Sequence, residues 1–567
     1  MSYKCILAPH YCIPPPILSI LVGRLPQVST IIEDVTEEAT TTETIKLEET
    51  TDDQVDSWDK DWGWNVDEGP KSPSPVDRIA SSSNTSDYAH AFSPLTESYM
   101  VSTSPGGGYM VLAHKSKFVV VELNEEEEEY CAVGQGSGCE MEGEEITAIL
   151  CLPLFVPSVR KNQTFVMAGY NTGWLRVFSE TGTILTAQLL EPTPILSIKI
   201  RTPPPVYKTA ATQSWQDEEI TLLFQGNKVV SIDGQSLWMV LRVCDGQRES
   251  GIDSSRMHTA FTYKKYEFQK HDQVKDVVSL GPSPPRSTPT TILEQSSTLS
   301  TIPFPPIATS RYIAVGYNPM LCYYATTDSS RPLMSAVSMA SYVVSRVATP
   351  VFSLAKSWWS GGGNNSNSGS SPTPYVPDMH PPPSNVEPAT PIPVVLTLED
   401  PDRRITSISV APASTSSQRS TLAATTDLLG RVILWDLQSG EMVRMWKGIR
   451  DAVCGWVEVS EDNSNELSSN QRNRPARVSL FLVIYSERRG LLLVFHMRHG
   501  AKVGIFRIGQ GWRLVPCGRE PLGSSMVSAD RRRAAMRKDE GECGCLSKCL
   551  LIGPDGEVRN IQIVPKE

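Results

Sequence analysis

Few residues in this 567-residue sequence have the types and spacing for chemistry. Cys543, Cys545 and Cys549 could offer three thiolates to a metal, but a structural zinc site needs four ligands and no fourth lies nearby. Ordinary buried thiols are the expectation there. His496 and His499 are three positions apart, a spacing that shares a face on a helix; on the strand they follow, an odd spacing points them to opposite faces. No G-x4-G-K-[ST] loop is present, so hydrolysis of a nucleotide by this chain is not expected. Gly106-Gly107-Gly108 lacks the strand–helix context of a dinucleotide site. No catalytic residue, cofactor or metal is therefore assigned. Asp530-Arg531-Arg532-Arg533 with Arg537-Lys538 reads as a solvated loop, or as a contact for acidic headgroups or an acidic partner segment.

Charge points to binding instead. The net charge is −11, yet residues 33–68 alone carry 14 acids against Lys46 and Lys60, a balance of −12, which leaves the rest of the chain at +1. A net acidic chain does not fit a general nucleic-acid binder. Trp58, Trp62 and Trp64 stand in the same segment. Aromatics flanked by carboxylates in a chain too polar to build a core can dock into a partner's groove, with the acids meeting basic residues at its rim. The plainer reading is a solvating tail.

The elements that must position such residues repeat. Residues 421–447, 165–190 and 481–507 share one plan: an apolar strand, a turn glycine, a second strand closed by an aromatic, another turn glycine and a third strand. The glycine pairs are Gly430 and Gly440, Gly173 and Gly182, and Gly490 and Gly500; the aromatics are Trp435, Phe178 and Phe495. Tight turns that need positive φ explain the glycines. Trp435-Asp436 sits where the dipeptide of WD repeats would. Weaker copies start near Tyr109, Ile220, Tyr312 and Leu546. The pattern predicts an all-β, WD-repeat-like β-propeller over 106–567, with seven blades and eight as the alternative count. Residues 1–105 read as an acidic and Ser/Thr-rich arm without a core. The low-complexity stretches 282–308, 360–393 and 459–477 read as disordered insertions.

One stretch departs from the strand period. Over 333–348, Leu333, Val337, Met339, Val343, Val344 and Val347 give a partly helical stripe, interrupted by Pro350 and followed by Trp358-Trp359. This inserted helical segment either packs on the propeller or lies at a membrane interface, with Trp358 and Trp359 at headgroup level. The apolar patch at 17–22 is too short for a signal peptide, and no 18-residue apolar run exists, so a reduced cytoplasmic chain is expected.

Several stretches resemble a known family: AGYNTGWLRVFSETGTILTAQLLEPTPILSIKIRT (168–202), SIDGQSLWMVLRVC (231–244), YKKYEFQKHDQVKDVVSLGP (263–282), GRVILWDLQSGEMVRMWKGIRDAVCGWVEV (430–459) and FLVIYSERRGLLLVFHMRHGAKVGIFRIG (481–509). The chain resembles the N-terminal domain of the non-catalytic, regulatory subunit of the Rab-three GTPase-activating protein complex. The resemblance implies a partner protein rather than an enzyme: a second, catalytic subunit supplies the activating arginine, and the pair acts on Rab GTPases of vesicle traffic. It also implies an exchange-factor role at the endoplasmic reticulum, a link to autophagy, and peripheral contact with endoplasmic reticulum or vesicle membranes. Family members continue past the propeller into a helical region, whereas this sequence stops at Glu567. Arg488 and Arg489 are the one tempting place for an arginine aimed at a γ-phosphate. A hairpin turn with exposed arginines, available to a partner, is the preferred reading. The alternative to the family role is a generic propeller adaptor of membrane traffic or autophagy.

Overall fold

A computed structural model describes residues 3–22, 99–124, 126–156, 161–201, 218–249, 261–282, 310–326, 386–412, 422–437, 439–460, 478–518, 522–523 and 545–565. These residues are mostly strand, with two α-helices, in a propeller-like arrangement.

Five sheets of four or five strands follow one another along the chain. The first of the five pairs Ile146–Val156, Lys161–Tyr170, Trp174–Ser179 and Ile184–Leu189 in order. The next takes Ile195–Arg201, Glu219–Phe224, Lys228–Asp233 and Tyr263–Phe268, with Thr390–Ile392 added in parallel. Then come Gln273–Gly281, Ser310–Tyr317, Leu321–Thr326 and Val394–Leu398. Ile405–Val410, Leu422–Asp427, Val432–Asp436 and Glu441–Trp446 form the fourth. Ala452–Ser460, Val478–Ser486, Leu491–His496 and Lys502–Arg507 form the fifth, with Cys545–Ser547 beside Ala452–Ser460.

An eight-stranded sheet completes the set. One half is Met100–Thr103, Tyr109–His114, Lys117–Asn124 and Glu129–Gly136. The other is Arg513–Pro516, Cys549–Ile552, Glu557–Pro565 and, on its outside, Tyr3–Cys12. A single residue pair, Cys12 opposite Glu129, joins the halves. Tyr3–Cys12 is otherwise zipped antiparallel to Glu557–Pro565, Tyr3 opposite Pro565 and Cys12 opposite Glu557.

The core lies between sheets. Val111, Phe118, Val166 and Phe178 fill the junction of Met100–Gly136 with the next sheet. Leu175, Leu222, Val230 and Leu241 fill the following one, then Tyr266, Phe268, Tyr312 and Tyr324. Ile313, Tyr323, Ile433 and Trp435 come next, and Val432, Trp456, Leu482 and Phe495 after them. Val457, Val483, Leu551 and Ile561 join the fifth sheet to the C-terminal half of the eight-stranded sheet. Met110, Val119, Leu550 and Val558 lie between the two halves of that sheet. Strands covered on both faces carry unbroken apolar runs, as in Phe118, Val119, Val120 and Val121, all buried; Glu219–Phe224 is buried at every position, its Glu219 and Thr221 included. The outside strand Glu441–Trp446 is exposed over its first four residues. Lys199 ties three inner strands, donating 2.6 Å to Asp276 Oδ2 and 3.0 Å to the Ile408 carbonyl.

The glycine spacing did mark turns: Gly173, Gly182, Gly430, Gly440, Gly490 and Gly500 all have positive φ, between 58° and 86°. Trp435 closes its strand as expected and donates from Nε1 to Thr425 Oγ1 at 2.8 Å. Three expectations need correction. Residues 3–22 and 99–103, read within a coreless arm, are two strands and the helix Pro15–Val22. Their signal is weak because the partner of Tyr3–Cys12 lies more than 500 positions away. Second, 234–249, which carries no helix in the sequence reading, is an α-helix, Gly234–Glu249. Its buried Leu237, Val240, Leu241 and Cys244 keep helical spacing, and Asp233 Oδ2 caps it by accepting from the Ser236 amide at 2.9 Å. Third, His496 and His499 do not diverge: their rings meet edge-on at 5.6 Å, because His499 lies in the turn rather than the strand. The helical stripe of 331–359 lies outside the described residues.

Candidate interaction face

Antiparallel order gives the arrangement two ends. At one end lie the turns between second and third strands, at 115–116, 171–173, 225–227, 318–320, 428–431, 487–490 and 553–556. They are only two to four residues long, and each is tied by backbone hydrogen bonds to the start of an inner strand or to the residues before it or after the outer strand: Ile146 N to Lys115 O, Gln225 N to Pro194 O, Asp272 N to Asn318 O, Leu428 N to Arg404 O, Glu487 N to Asp451 O. At Gly173, with φ 84°, a Cβ would fall 1.5 Å from the Glu191 carbonyl oxygen, so only glycine lets the turn close. Asn227 takes φ 63° and clamps two sheets, donating 2.5 Å to the His271 carbonyl and accepting 2.8 Å from the Val274 amide. His271 beside it is 5% exposed, and burial holds its imidazole down to about 4, only partly offset by Asp272.

The opposite end receives the long connections: 202–218, 282–309, 411–421, 461–477 and 517–544 after inner strands, and 234–262 and 327–389 after third strands. Its mouth is held by a buried polar knot. The Glu219 carboxylate accepts from Arg201 at 3.2 Å, Ser279 at 2.6 Å, Ser231 at 2.5 Å and Tyr312 at 2.8 Å. Burial alone would raise its pKa; Arg201 and the three hydroxyls outweigh that and hold it below the usual carboxylate range. Burial, with Arg201 adding repulsion, brings Arg311 down to about 10. A strap from the C-terminal half runs along this end. Leu522 exchanges backbone hydrogen bonds of 2.9 Å with Pro153 and Phe155, and the Gly523 amide donates 2.9 Å to Glu218 Oε2.

On the short-turn end, one sector combines cations with exposed apolar groups. Lys275 and Arg404 stand 5.0 and 5.4 Å from the Tyr317 ring centroid. Next to Arg404 come Leu428 and Leu429, 53% and 47% exposed, on the 428–431 turn. Gly430 packs against Arg450, Gly448 faces the Arg489 guanidinium, and Val453 is 44% exposed. Arg488 and Arg489 occupy a one-turn 3-10 helix, Glu487–Arg489, closed by Gly490 at φ 58°. Arg404, Arg450, Arg488 and Arg489 are all exposed, and Arg450 and Arg488 make no ion pair with a described residue. Asp272, Glu399, Asp402, Asp451 and Glu487 are exposed acids of this sector. Elsewhere on the same end Glu140, Glu142 and Glu145 make the surface acidic.

Arg488 and Arg489 thus sit on a hairpin turn. The fold adds Leu428, Leu429 and Arg450, which no local pattern singled out. Trp58, Trp62, Trp64, Trp358, Trp359 and the basic run at 530–538 lie outside the described residues. Cys549 is fully buried with its Sγ 3.3 Å from the Trp456 carbonyl, and His496 stacks on Phe481 at 4.8 Å. Among the described residues no group of His, Cys, Asp and Glu is set to hold a metal, and no helix is long and apolar enough to cross a membrane. The sector is suited to binding an acidic, apolar surface.

Known proteins agree with the resemblance. The chain is 36% identical over 80 residues to the Rab3 GTPase-activating protein regulatory subunit of Caenorhabditis elegans, a match covering 14% of this chain and 5% of that relative. The crystal structure of Saccharomyces cerevisiae Sqt1 aligns over 83% of this chain and 85% of its own, at 12% identity and a TM-score of 0.36, too slight to bear on the fold. The family model described as Rab3 GTPase-activating protein regulatory subunit N-terminus matches residues 95–515, most of the described strands, and this chain therefore belongs to that family.

Proposed function

We propose that this chain is a regulatory, non-catalytic subunit that scaffolds the catalytic partner of a Rab GTPase-activating complex. The observation that carries the reading is the family match over 95–515, which takes in the strand repeat and the arginine-bearing turn together. The complex would act on Rab GTPases in vesicle and endoplasmic reticulum traffic, with exchange activity as a second output, from the cytoplasm and peripheral membranes. Arg488 and Arg489 serve a partner, not a γ-phosphate, since the turn offers nothing to orient a nucleotide. The ring counts seven blades in this reading, with the eight-stranded sheet as two blades. Support for that count comes from the single residue pair between its halves and from an apolar cluster at every junction. Trp358 and Trp359 would touch membrane.

Co-purification with a Rab GTPase-activating catalytic subunit tests the assignment. Binding is expected from forms tagged at either terminus, and failure of both overturns it. The purified chain alone should leave GTP hydrolysis by Rab proteins at the intrinsic rate; acceleration would make it a catalyst. Liposome flotation lost on Trp358→Ser/Trp359→Ser supports membrane contact, and unchanged flotation refutes it.

A further inference from the structure

We infer that the acidic segment 33–68 of this same chain docks on the basic, apolar sector formed by Arg404, Leu428, Leu429, Arg450, Arg488 and Arg489. Three observations lead there. The first is where the segment is tethered. Past Cys12, the Ile13 amide donates 2.9 Å to the carbonyl of Gly556, in the 553–556 turn, so the helix Pro15–Val22 starts from the short-turn end. On the far side of the segment Tyr99, with the Arg513 guanidinium 4.3 Å from its ring centroid, precedes the inner strand Met100–Thr103, whose start lies at that end too. Leu21, beside the helix's last residue, packs in one core cluster with Tyr99, so the two flanks of 23–98 lie together at that end.

The second observation is complementarity. The segment carries −12 and three tryptophans within 58–64. The sector offers exposed guanidinium groups around Leu428, Leu429 and Val453, the pairing of charge and apolar surface that such a segment needs. Glu140, Glu142 and Glu145 would repel the segment from the neighbouring part of the same end, which favours the arginine sector.

The third is reach. The 36 residues from Val22 to Trp58 span at most about 120–130 Å. A ligand tethered on the face it binds acts at an effective concentration of order millimolar, above that of most separate partners. The inference goes beyond the regulatory reading and does not depend on it: the segment would occupy the arginines that reading offers to a partner, so segment and partner would compete for them.

The experiment places a photo-crosslinking benzoylphenylalanine at position 62 of the full chain, in place of Trp62. Irradiation in ~50 mM salt should give adducts within one chain, mapping to 428–453 and 487–490. The yield should fall about tenfold in the Arg450→Glu/Arg488→Glu/Arg489→Glu variant, and in wild type at ~0.5 M salt. Leu428→Ser/Leu429→Ser should lower it as well. These changes are at exposed turn positions, and an unchanged melting temperature confirms that each variant is folded. Adducts elsewhere on the chain, adducts only between two molecules, a yield indifferent to salt and charge reversal, or no adduct would each overturn the inference. Because the assay contains no catalytic subunit, its failure leaves the regulatory reading to stand or fall on co-purification.

Discussion

The two ends of the ring solve the same problem by different physics. At the short-turn end the chain reverses in two to four residues, and backbone geometry does the holding: glycines at positive φ, the clamp at Asn227 and hydrogen bonds from turn to neighbouring strand. At the other end, beside short connections such as 180–183 and 497–501, connections of 11 to 63 residues leave the strands, and side chains do the holding: Glu219 with Arg201, Ser231, Ser279 and Tyr312, and the Leu522–Gly523 strap. Closing a longer loop costs little more entropy than closing a short one, so the second end tolerates insertion once its strands are pinned. A surface that must keep one shape belongs on the first end, and the arginine sector is there.

A matched pair of glycines breaks this contrast most sharply if it is wrong. Gly173 and Gly106 have nearly equal φ, 84° and 81°, but Gly106, in the short connection at the opposite end, has open space where a Cβ would go. Gly173→Val should cost more than ~4 kcal/mol, and Gly106→Val only the left-handed strain of about 1–2 kcal/mol. Urea denaturation midpoints compare them, and similar losses would remove the distinction.

Glu219→Ala comes next. It strips a carboxylate from buried partners and should cost about 3–5 kcal/mol, read as a fall in thermal midpoint. A near-neutral result would mean that the insertion-bearing end does not rely on the knot.

His271 gives a pH test of the short-turn end. Its folded pKa of about 4 lies below the unfolded ~6.5, so the unfolded chain binds more protons between those values. Its contribution is present above pH ~6.5 and is lost as pH falls toward about 4, by up to ~3 kcal/mol. Lowered Glu219 acts in the same direction but over a more acid window, below the ordinary carboxylate range. His271→Asn should flatten the slope of stability between pH 6.5 and 4; an unchanged slope would show that the imidazole is not its source.

The smallest effect expected is from shortening 461–477 to six residues. Ser460 and Val478, its flanks, are already paired, so the change should raise stability by no more than about 1 kcal/mol in chemical denaturation. A large loss would show that this insertion carries structure the strands need.

Sequence showed most clearly what repeats locally. Glycine pairs nine or ten positions apart marked the turns because a positive φ leaves glycine as the residue of choice, and Trp435, Phe178 and Phe495 marked strands buried on both faces. Tyr3–Cys12 was illegible, since nothing within ten residues says that a strand's partner is Glu557–Pro565. The helix Gly234–Glu249 was legible in the spacing of Leu237, Val240, Leu241 and Cys244 but was overshadowed by the strand period around it. A third of the candidate face was visible in Arg488-Arg489. Leu428, Leu429 and Arg450 join it only because hydrogen bonds carry one turn against the next.

The zipper between Tyr3–Cys12 and Glu557–Pro565 sets a schedule for biosynthesis. The strand leaves the ribosome about 545 residues before its partner is made. At ~5–20 residues per second the interval is roughly half a minute to two minutes. During that time Cys5 and Leu7, buried in the finished sheet, have no partner, and the ring is an open arc with two bare edges. The nascent chain therefore depends on protection from aggregation for longest at Tyr3–Cys12.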